Sequence, residues 1–400
     1  MITEEAAITA RAQDDLRVEP LVEEGNLVEQ GAPVLEMRRH LAIKIVAPMP
    51  CRVAAIRLGP GHRLSSILFF HEPGAGRHTY DTKLANRSDD PGALRDLLLA
   101  SGMWRLLRSR PFGQVPVPTQ MPAAIFVMGL DTRPLAPAPH RAVANRDDDV
   151  ARGLHALLRL TDGPVYLCQD RSAPLSTAAV TSDRLHLVSI RASHPLGLPG
   201  QQIHRHRPAT IDRPVWDVHL EDVAGIGALL ATGLVPETRL VSVGGPALRE
   251  AREVHCQPGA DLRHLSHGLV KPGPHVVLSG SALDGREAHW LLGRDRQTTV
   301  LEIPHRPARP HWFQAALSRA SRPKPLIPTA ALEQAFGGAL PAVPFLRAMA
   351  SGNAELFTRL GGLSLLEEDV ALVDYVTRAE PGITAMLSSM LDRIAAEEAV

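Results

Sequence analysis

Apolar positions along the chain fall into distinct textures. Between residues 17 and 75, short apolar runs alternate with glycine turns. "RVEPLVEEGNLVEQGAPVLEM" holds two runs around Gly25 and Gly31, and "IKIVAPMPCRVAAIRL" forms a second pair. Such spacing predicts small, turn-rich β structure. From about 76 to 236 the pattern changes. "AAIFVMG" (123–129), "PVYLC" (164–168) and "LHLVSI" (185–190) are apolar runs of strand length. Between the first two, "DDDVARGLHALLRL" sets Val150, Leu154, Leu157 and Leu158 on one helical face, with acids in the first turn where the helix dipole favours them. Strands separated by helices predict βαβ units and a parallel sheet. Asp131 and Thr132 lie just past the first of these strands, at the carboxyl edge where such sheets place ligands.

Residues 239–302 read as a small β module. "RLVSVGGPA" is a strand ending in a glycine turn, "EVHCQPGADLRHLSHG" a strand, turn and short helix, and "HVVLSGSALDG" another strand and turn. The segment 303–330 carries six prolines and predicts a linker or surface arm. The remainder is helical. Ser364 and Glu367 in "SLLEED" have capping-box spacing, Val370, Leu372, Val373 and Val376 continue an apolar face, and "GITAMLSSMLDRIAAEEA" predicts a closing amphipathic helix. One stretch fits neither period. "SHPLGLPGQQIH" (193–204) spends two prolines, two glycines and two histidines on twelve positions, and predicts a rigid loop rather than helix or strand.

Composition narrows the chemistry. Basic and acidic residues balance at 43 each, so no net field attracts nucleic acid or anionic lipid. Cys51, Cys168 and Cys256 form no C-x-x-C, which excludes zinc ribbons and cysteine-ligated iron–sulfur clusters and suits a reducing cytoplasm. The acidic N-terminus has no apolar secretory run, and no stretch of apolar residues is long enough for a membrane span. No Walker A sequence is present; "GIGALLATG" (225–233) lacks the third glycine of a dinucleotide fingerprint and reads as a helix with small residues. His194, His204 and His206 are no metal set, because "HRHR" reads as a solvated basic edge.

Seven motifs then carry a resemblance: "SGMWRLLRSRPFGQVP", "AIFVMGLDTRPLA", "SHPLGLPGQQIH", "VWDVHLEDVAGIG", "VSVGGP", "LSGSALDG" and "LGGLSLLEEDVAL", in that order. Together they resemble the NqrA family, one of the subunits of the Na+-translocating NADH:quinone oxidoreductase, over residues 17 to 395. The resemblance implies a multidomain α+β protein. Residues 1–75 would form a barrel-sandwich hybrid module with an N-terminal extension, similar to biotinyl and lipoyl carriers. Residues 76–238 would be a Rossmann-like domain, 239–302 a β-grasp domain of the soluble-ligand-binding kind, 303–330 the linker and 331–400 a helical C-terminal domain. Carriers modify a lysine at the hairpin tip; here Arg38 and Arg39 stand there and Lys44 falls in the next strand, which predicts no covalent arm.

The Rossmann-like part is similar to flavin-binding subunits of related complexes, which cradle phosphate on a glycine-rich loop after a Ser-Gly pair. Here Ser101-Gly102 is followed by bulky residues, with Arg108, Arg110, Pro111 and Phe112 where backbone must approach phosphate, so the flavin loop is read as degenerate. The resemblance implies a cofactor-free peripheral subunit on the cytoplasmic face of the bacterial inner membrane, with NADH, flavins and iron–sulfur centres on partner subunits. Ubiquinone is the ligand it implies for this chain. Phe126 and Met128 would supply an apolar slot, and Asp131, Thr132, His194, Gly197, Gly200 and His204 the polar rim. A structural corner for the 193–204 loop, in a divergent scaffold without quinone contact, stands as the alternative. Departures from the family include the N-terminal opening, the shorter linker, and "VDYVTRAEPG" where paired cysteines are usual.

Overall fold

A computed structural model describes residues 1–10, 16–87, 91–177, 179–303, 329–378 and 382–398. The glycine-punctuated N-terminal region builds two small sheets. β1 (Glu5–Thr9), β3 (Leu27–Val28), β6 (Cys51–Gly59) and β7 (Arg63–His71) run in the order β1-β7-β6-β3, while β2 (Val18–Pro20), β4 (Pro33–Met37) and β5 (His40–Val46) form the second. The sheets share a core that includes Val18, Leu35, Ile45, Ile67 and Phe69, without closing into a barrel among the described residues. Lys44 lies inside β5, ion-paired with Glu36 at 2.5 Å. The first residues are no mere extension. "EAAIT" pairs along β7, and Ala7 N donates to Gly259 O at 2.9 Å, so this strand ties the first core to the third. Five residues are too few for periodicity to reveal.

After α1 (Lys83–Arg87) and α2 (Pro91–Ala100) comes the predicted parallel sheet. β8 (Arg108–Arg110), β9 (Ala124–Gly129), β10 (Val165–Asp170), β11 (Leu185–Ile190) and β12 (Val215–His219) run in the order β11-β10-β9-β12-β8, with only β8 antiparallel. β9 is central and buried at all six positions, as a strand covered on both faces must be. Ile125 and Val127 face the core shared with α4 (Asp147–Leu160) and α6 (Leu220–Thr232), beyond the short α3 (Pro139–Ala142). Ala124, Phe126 and Met128 face the other way, onto Ile203 of α5 (Pro199–His206). Glycine sets the α4–α6 approach: a Cβ on Gly153 would lie 2.0 Å from Val223 O, and one on Gly227 1.9 Å from Asp149 O. "GIGALLATG" is therefore a packing helix, as its composition suggests.

The 193–204 stretch needs a correction. Its second half is helix α5, because Pro199 stands at the start of the helix, where a missing N–H costs nothing. Only the residues before it are irregular.

The third sheet, β14-β13-β17-β15-β16, comprises β13 (Arg239–Gly244), β14 (Arg252–Cys256), β15 (His275–Ser279), β16 (Arg286–Glu287) and β17 (Gln297–Glu302). It packs with α7 (Leu262–Ser266) around Val241, Leu262, Leu265 and Val300. Most of the proline-rich segment, 304–328, lies outside the described residues. The last block is helical: α8 (Ala330–Ala335), α9 (Ala342–Ser351), α10 (Ala354–Arg359), α11 (Glu367–Thr377) and α12 (Ile383–Glu398) enclose Phe336, Phe345, Phe357 and Leu387. Two expectations fail here. Ser364 is buried in a short 3-10 turn with its Oγ accepting from Ala209 N, so Asp369, not Glu367, closes the start of α11 by accepting from Leu366 N at 2.9 Å. Val376 is exposed, since only Val370 and Val373 on that face meet the core fully and Leu372 packs at its rim.

Candidate functional site

The loop after Ser101-Gly102 is built as an interlock. Gly102 has φ 73°, a turn that sends Trp104 into the core, where its indole N–H donates to Pro116 O at 2.8 Å and its ring meets Trp216 edge-on. β8 then lies antiparallel to β12, which puts Arg108 beside Asp217. Arg110 is wholly buried. Its Nε donates to Asp217 Oδ1 at 3.1 Å, Nη2 to Glu368 Oε1 at 3.0 Å, and Nη1 to Asp369 Oδ2 at 2.6 Å and Ser364 O at 2.8 Å. Arg108 bridges Asp217 at 3.0 Å and Glu368 at 2.6 Å. Pro111 is buried, and Phe112 packs against the helical core. At Gly113, φ is 69° and a Cβ would come within 2.7 Å of Leu366.

Electrostatics explain how these charges stay ionised away from water. Burial alone would raise the Asp217 and Glu368 carboxyls, but Arg108 and Arg110 outweigh it and hold both below the usual carboxylate range. Arg110 is held well above its ordinary value because Asp369, Asp217 and Glu368 more than offset its burial. Asp369 differs: burial lifts its carboxyl, with Arg110 opposing and Glu368 adding to the lift. It also accepts from Gly200 N at 3.0 Å, at the start of α5, and a Cβ on Gly200 would occupy the carboxylate's place. Arg294, donating to Arg105 O and Leu107 O, brings a third guanidinium near Asp217.

The carboxyl edge of the parallel sheet is differently furnished. Asp131 pairs with Arg133 at 2.6 Å, and Arg133 reaches Asp284 of the third core at 3.4 Å. Gly197 N donates to Thr132 Oγ1 at 3.1 Å, and Thr132 Oγ1 lies 3.4 Å from His194 Nδ1. Any side chain at Gly197 would strike Thr132, since a Cβ would sit 2.6 Å from its methyl carbon. His194 Nε2 is buried with no hydrogen-bond partner among the described residues. Burial draws this imidazole below its ordinary value, against Asp131 and Asp284. At the start of α6, His219 Nδ1 accepts from Glu221 N at 3.2 Å, and Arg296 of the third core pairs with Glu221 and, at 2.6 Å, Asp222. Loss of water, then Arg296 and Arg133, hold His219 well below the usual imidazole value.

The residues marked in the sequence therefore separate into four groups. Asp131, Thr132, His194 and Gly197 meet at the carboxyl edge. Gly200 joins Arg110 through Asp369, and Arg110 shares Asp217 and Glu368 with Arg108. His204, expected on a solvated edge, is half-buried; its Nδ1 presses on Gly361, where a Cβ would approach to 2.2 Å. Phe126 and Met128 lie in the core under α5, Phe126 stacked on Tyr166 at 4.6 Å. Sequence reading misses Asp217, His219, Arg296, Glu368 and Asp369. One signal is there: the acid inside the apolar run "VWDVH" must be paired if that run is a buried strand. Among the described residues no group of three or more histidine, cysteine, aspartate or glutamate side chains is arranged to hold a metal ion.

Residues 90–235 match the NqrA second alpha/beta domain. The A-subunit of the Na+-translocating NADH-quinone reductase of Alcanivorax borkumensis is 30% identical over 94% of this chain and 90% of its own length. The protein of the same name from Shewanella amazonensis is 31% identical over 93% and 89%. Among solved structures, a chain of an NAD+-reducing [NiFe]-hydrogenase is similar with a TM-score of 0.41 and 12% identity, covering 78% of this chain and 65% of that one. At the identity and coverage of the two reductase subunits, the chain belongs to the NqrA family of Na+-translocating NADH-quinone reductase subunits.

Proposed function

We propose that this chain is a peripheral subunit of a Na+-translocating NADH:ubiquinone reductase at the cytoplasmic face of the inner membrane. NADH oxidation, flavins and iron–sulfur centres belong to its partner subunits, and the assembled complex couples quinone reduction to Na+ export. The observation that carries this reading is the loop 108–113. A phosphate cradle needs bare backbone N–H groups, and here a buried arginine and Phe112 spend the loop on joining the sheet to the helical block. A flavin phosphate does not fit among those side chains. Among the described residues no helix is long and apolar enough to cross a membrane, so membrane partners would hold the chain in place.

Within the complex the proposed quinone contact is the carboxyl edge. Neutral His194 offers Nε2 in either of two senses. It donates to a quinone carbonyl when the Thr132 hydroxyl donates to Nδ1, and accepts from a quinol hydroxyl when Nδ1–H is given to Thr132. Gly197 fixes Thr132, Asp131 holds the turn at Arg133 N, and Met128, near the carboxyl end of β9, forms the apolar side beneath, while Phe126 lies further back against Tyr166. Because Nε2 is buried, the headgroup enters by parting residues 193–198. Deleting this chain from the expressed complex tests the assignment. Na+-stimulated quinone reduction should disappear, while NADH oxidation by an artificial acceptor persists on the partner subunits. Unchanged Na+-dependent quinone reduction would instead make the chain a scaffold of some other assembly.

A further inference from the structure

We propose that the arginine-rich corner at the end of α5 is a docking surface for anionic phospholipid headgroups. The run 205–213, "RHRPATIDR", carries Arg205, Arg207 and Arg213 against a single acid, Asp212. Several arginines elsewhere in this part of the chain are consumed internally: Arg184 donates to Thr161 O and Leu158 O, and Arg108, Arg110, Arg133 and Arg296 are ion-paired. The exposed Arg171 and Arg191 stand apart, just past the ends of β10 and β11 at the opposite edge of the sheet. The side chains of Arg205, Arg207 and Arg213 have no ion-pair or hydrogen-bond partner among the described residues, although Arg205 and Arg213 are exposed and Arg207 half-buried. Between them the loop lifts an isoleucine toward solvent, with Ile211 36% exposed.

Topology gathers the corner at one end of the sheet. α5 follows β11 and returns to the start of the parallel strand β12, so its last turn lies at the amino edge, opposite the His194 end. His186 and His206 both lie against Tyr166, with ring centroids 5.3 and 5.6 Å away, which places the start of β11 beside the end of α5. The chain as a whole is neutral, so any attraction is local to this corner. Guanidinium forks match phosphate oxygens, and an apolar loop tip flanked by arginines is suited to enter the headgroup boundary. An acidic protein segment would use the arginines but gives no role to Ile211.

The experiment uses the full chain with vesicles of phosphatidylcholine alone or mixed with phosphatidylglycerol, read by co-sedimentation. Binding should require phosphatidylglycerol and weaken as salt screens the charges. Replacing Arg205, Arg207 or Arg213 by Gln should each lower partitioning about fivefold, and the triple variant should fall to background. Ile211→Ser should weaken binding, and Asp212→Asn should strengthen it, a gain that misfolding cannot mimic. Equal binding to both vesicles, no binding, or a triple variant that binds like the parent overturns the proposal. So does capture by polyglutamate without vesicle binding, which would assign the corner to an acidic protein. The vesicles contain no redox partner, so failure here leaves the subunit reading standing.

Discussion

The parallel sheet has two polar boundaries, and they are finished differently. Beside β8, Arg110 spends its guanidinium on three carboxylates and a carbonyl, and Asp369 closes the set by capping α5. At the carboxyl edge, His194 is held on one side by Thr132 and left without a partner on the other. The Arg110 cluster is saturated, whereas His194 Nε2, like Gln201 and His204 Nδ1 on α5, has no partner among the described residues. Burying charges costs several kcal/mol per ion unless each is matched, so a saturated cluster is what a permanent joint between the sheet and the helical block requires. An unmatched buried nitrogen is tolerated where something else can match it.

The joint is where perturbation should be most damaging. Arg110→Met would strand Asp369 and leave Arg108 alone to pair Asp217 and Glu368, and should cost about 3–5 kcal/mol at that interface. The cost should be read as an early thermal transition and faster hydrogen exchange in α11; an unchanged transition would mean that the cluster is not holding the block. Next comes Gly227→Ala, which must push α6 off the Asp149 carbonyl and should destabilise by about 1–3 kcal/mol without affecting α11 exchange. Smaller still is the pH response. His219, His194 and His204 are all held below their ordinary values, burial being the first cause in each. The unfolded chain therefore binds more protons below about pH 6.5, and stability should fall as pH drops from there. His219→Asn keeps a capping acceptor for Glu221 N and should flatten that slope. The carboxylates held low, Asp217 and Glu368, add a second loss only below about pH 4.5, as acid reaches their unfolded values.

Legibility in the sequence follows the range of the interactions. β9, β10, β11 and α4 are set by local periodicity, so "AAIFVMG", "PVYLC", "LHLVSI" and "DDDVARGLHALLRL" announce themselves. The joint does not, because Arg110 meets Asp217 across 107 residues and Asp369 across 259. A run such as "SRPF" shows that a phosphate cradle is filled but not what fills its place. The start of α5 is hidden for another reason: proline and glycine mark a loop equally well as a helix entrance, and the deciding partner, Asp369, lies far along the chain. Ser364 misleads in the same way, having the right spacing for a cap but a distant use at Ala209 N.

The claim that the unsaturated edge is the working one is tested most directly by titrating a short-chain ubiquinone into the full chain and into its His194→Ala variant, following tryptophan fluorescence. Loss of one hydrogen bond of about 0.5–1.5 kcal/mol predicts a three- to tenfold weaker Kd for the variant, with its thermal transition unchanged. Equal affinity in the two proteins, or no saturable binding to either, would contradict it and leave the loop a structural corner.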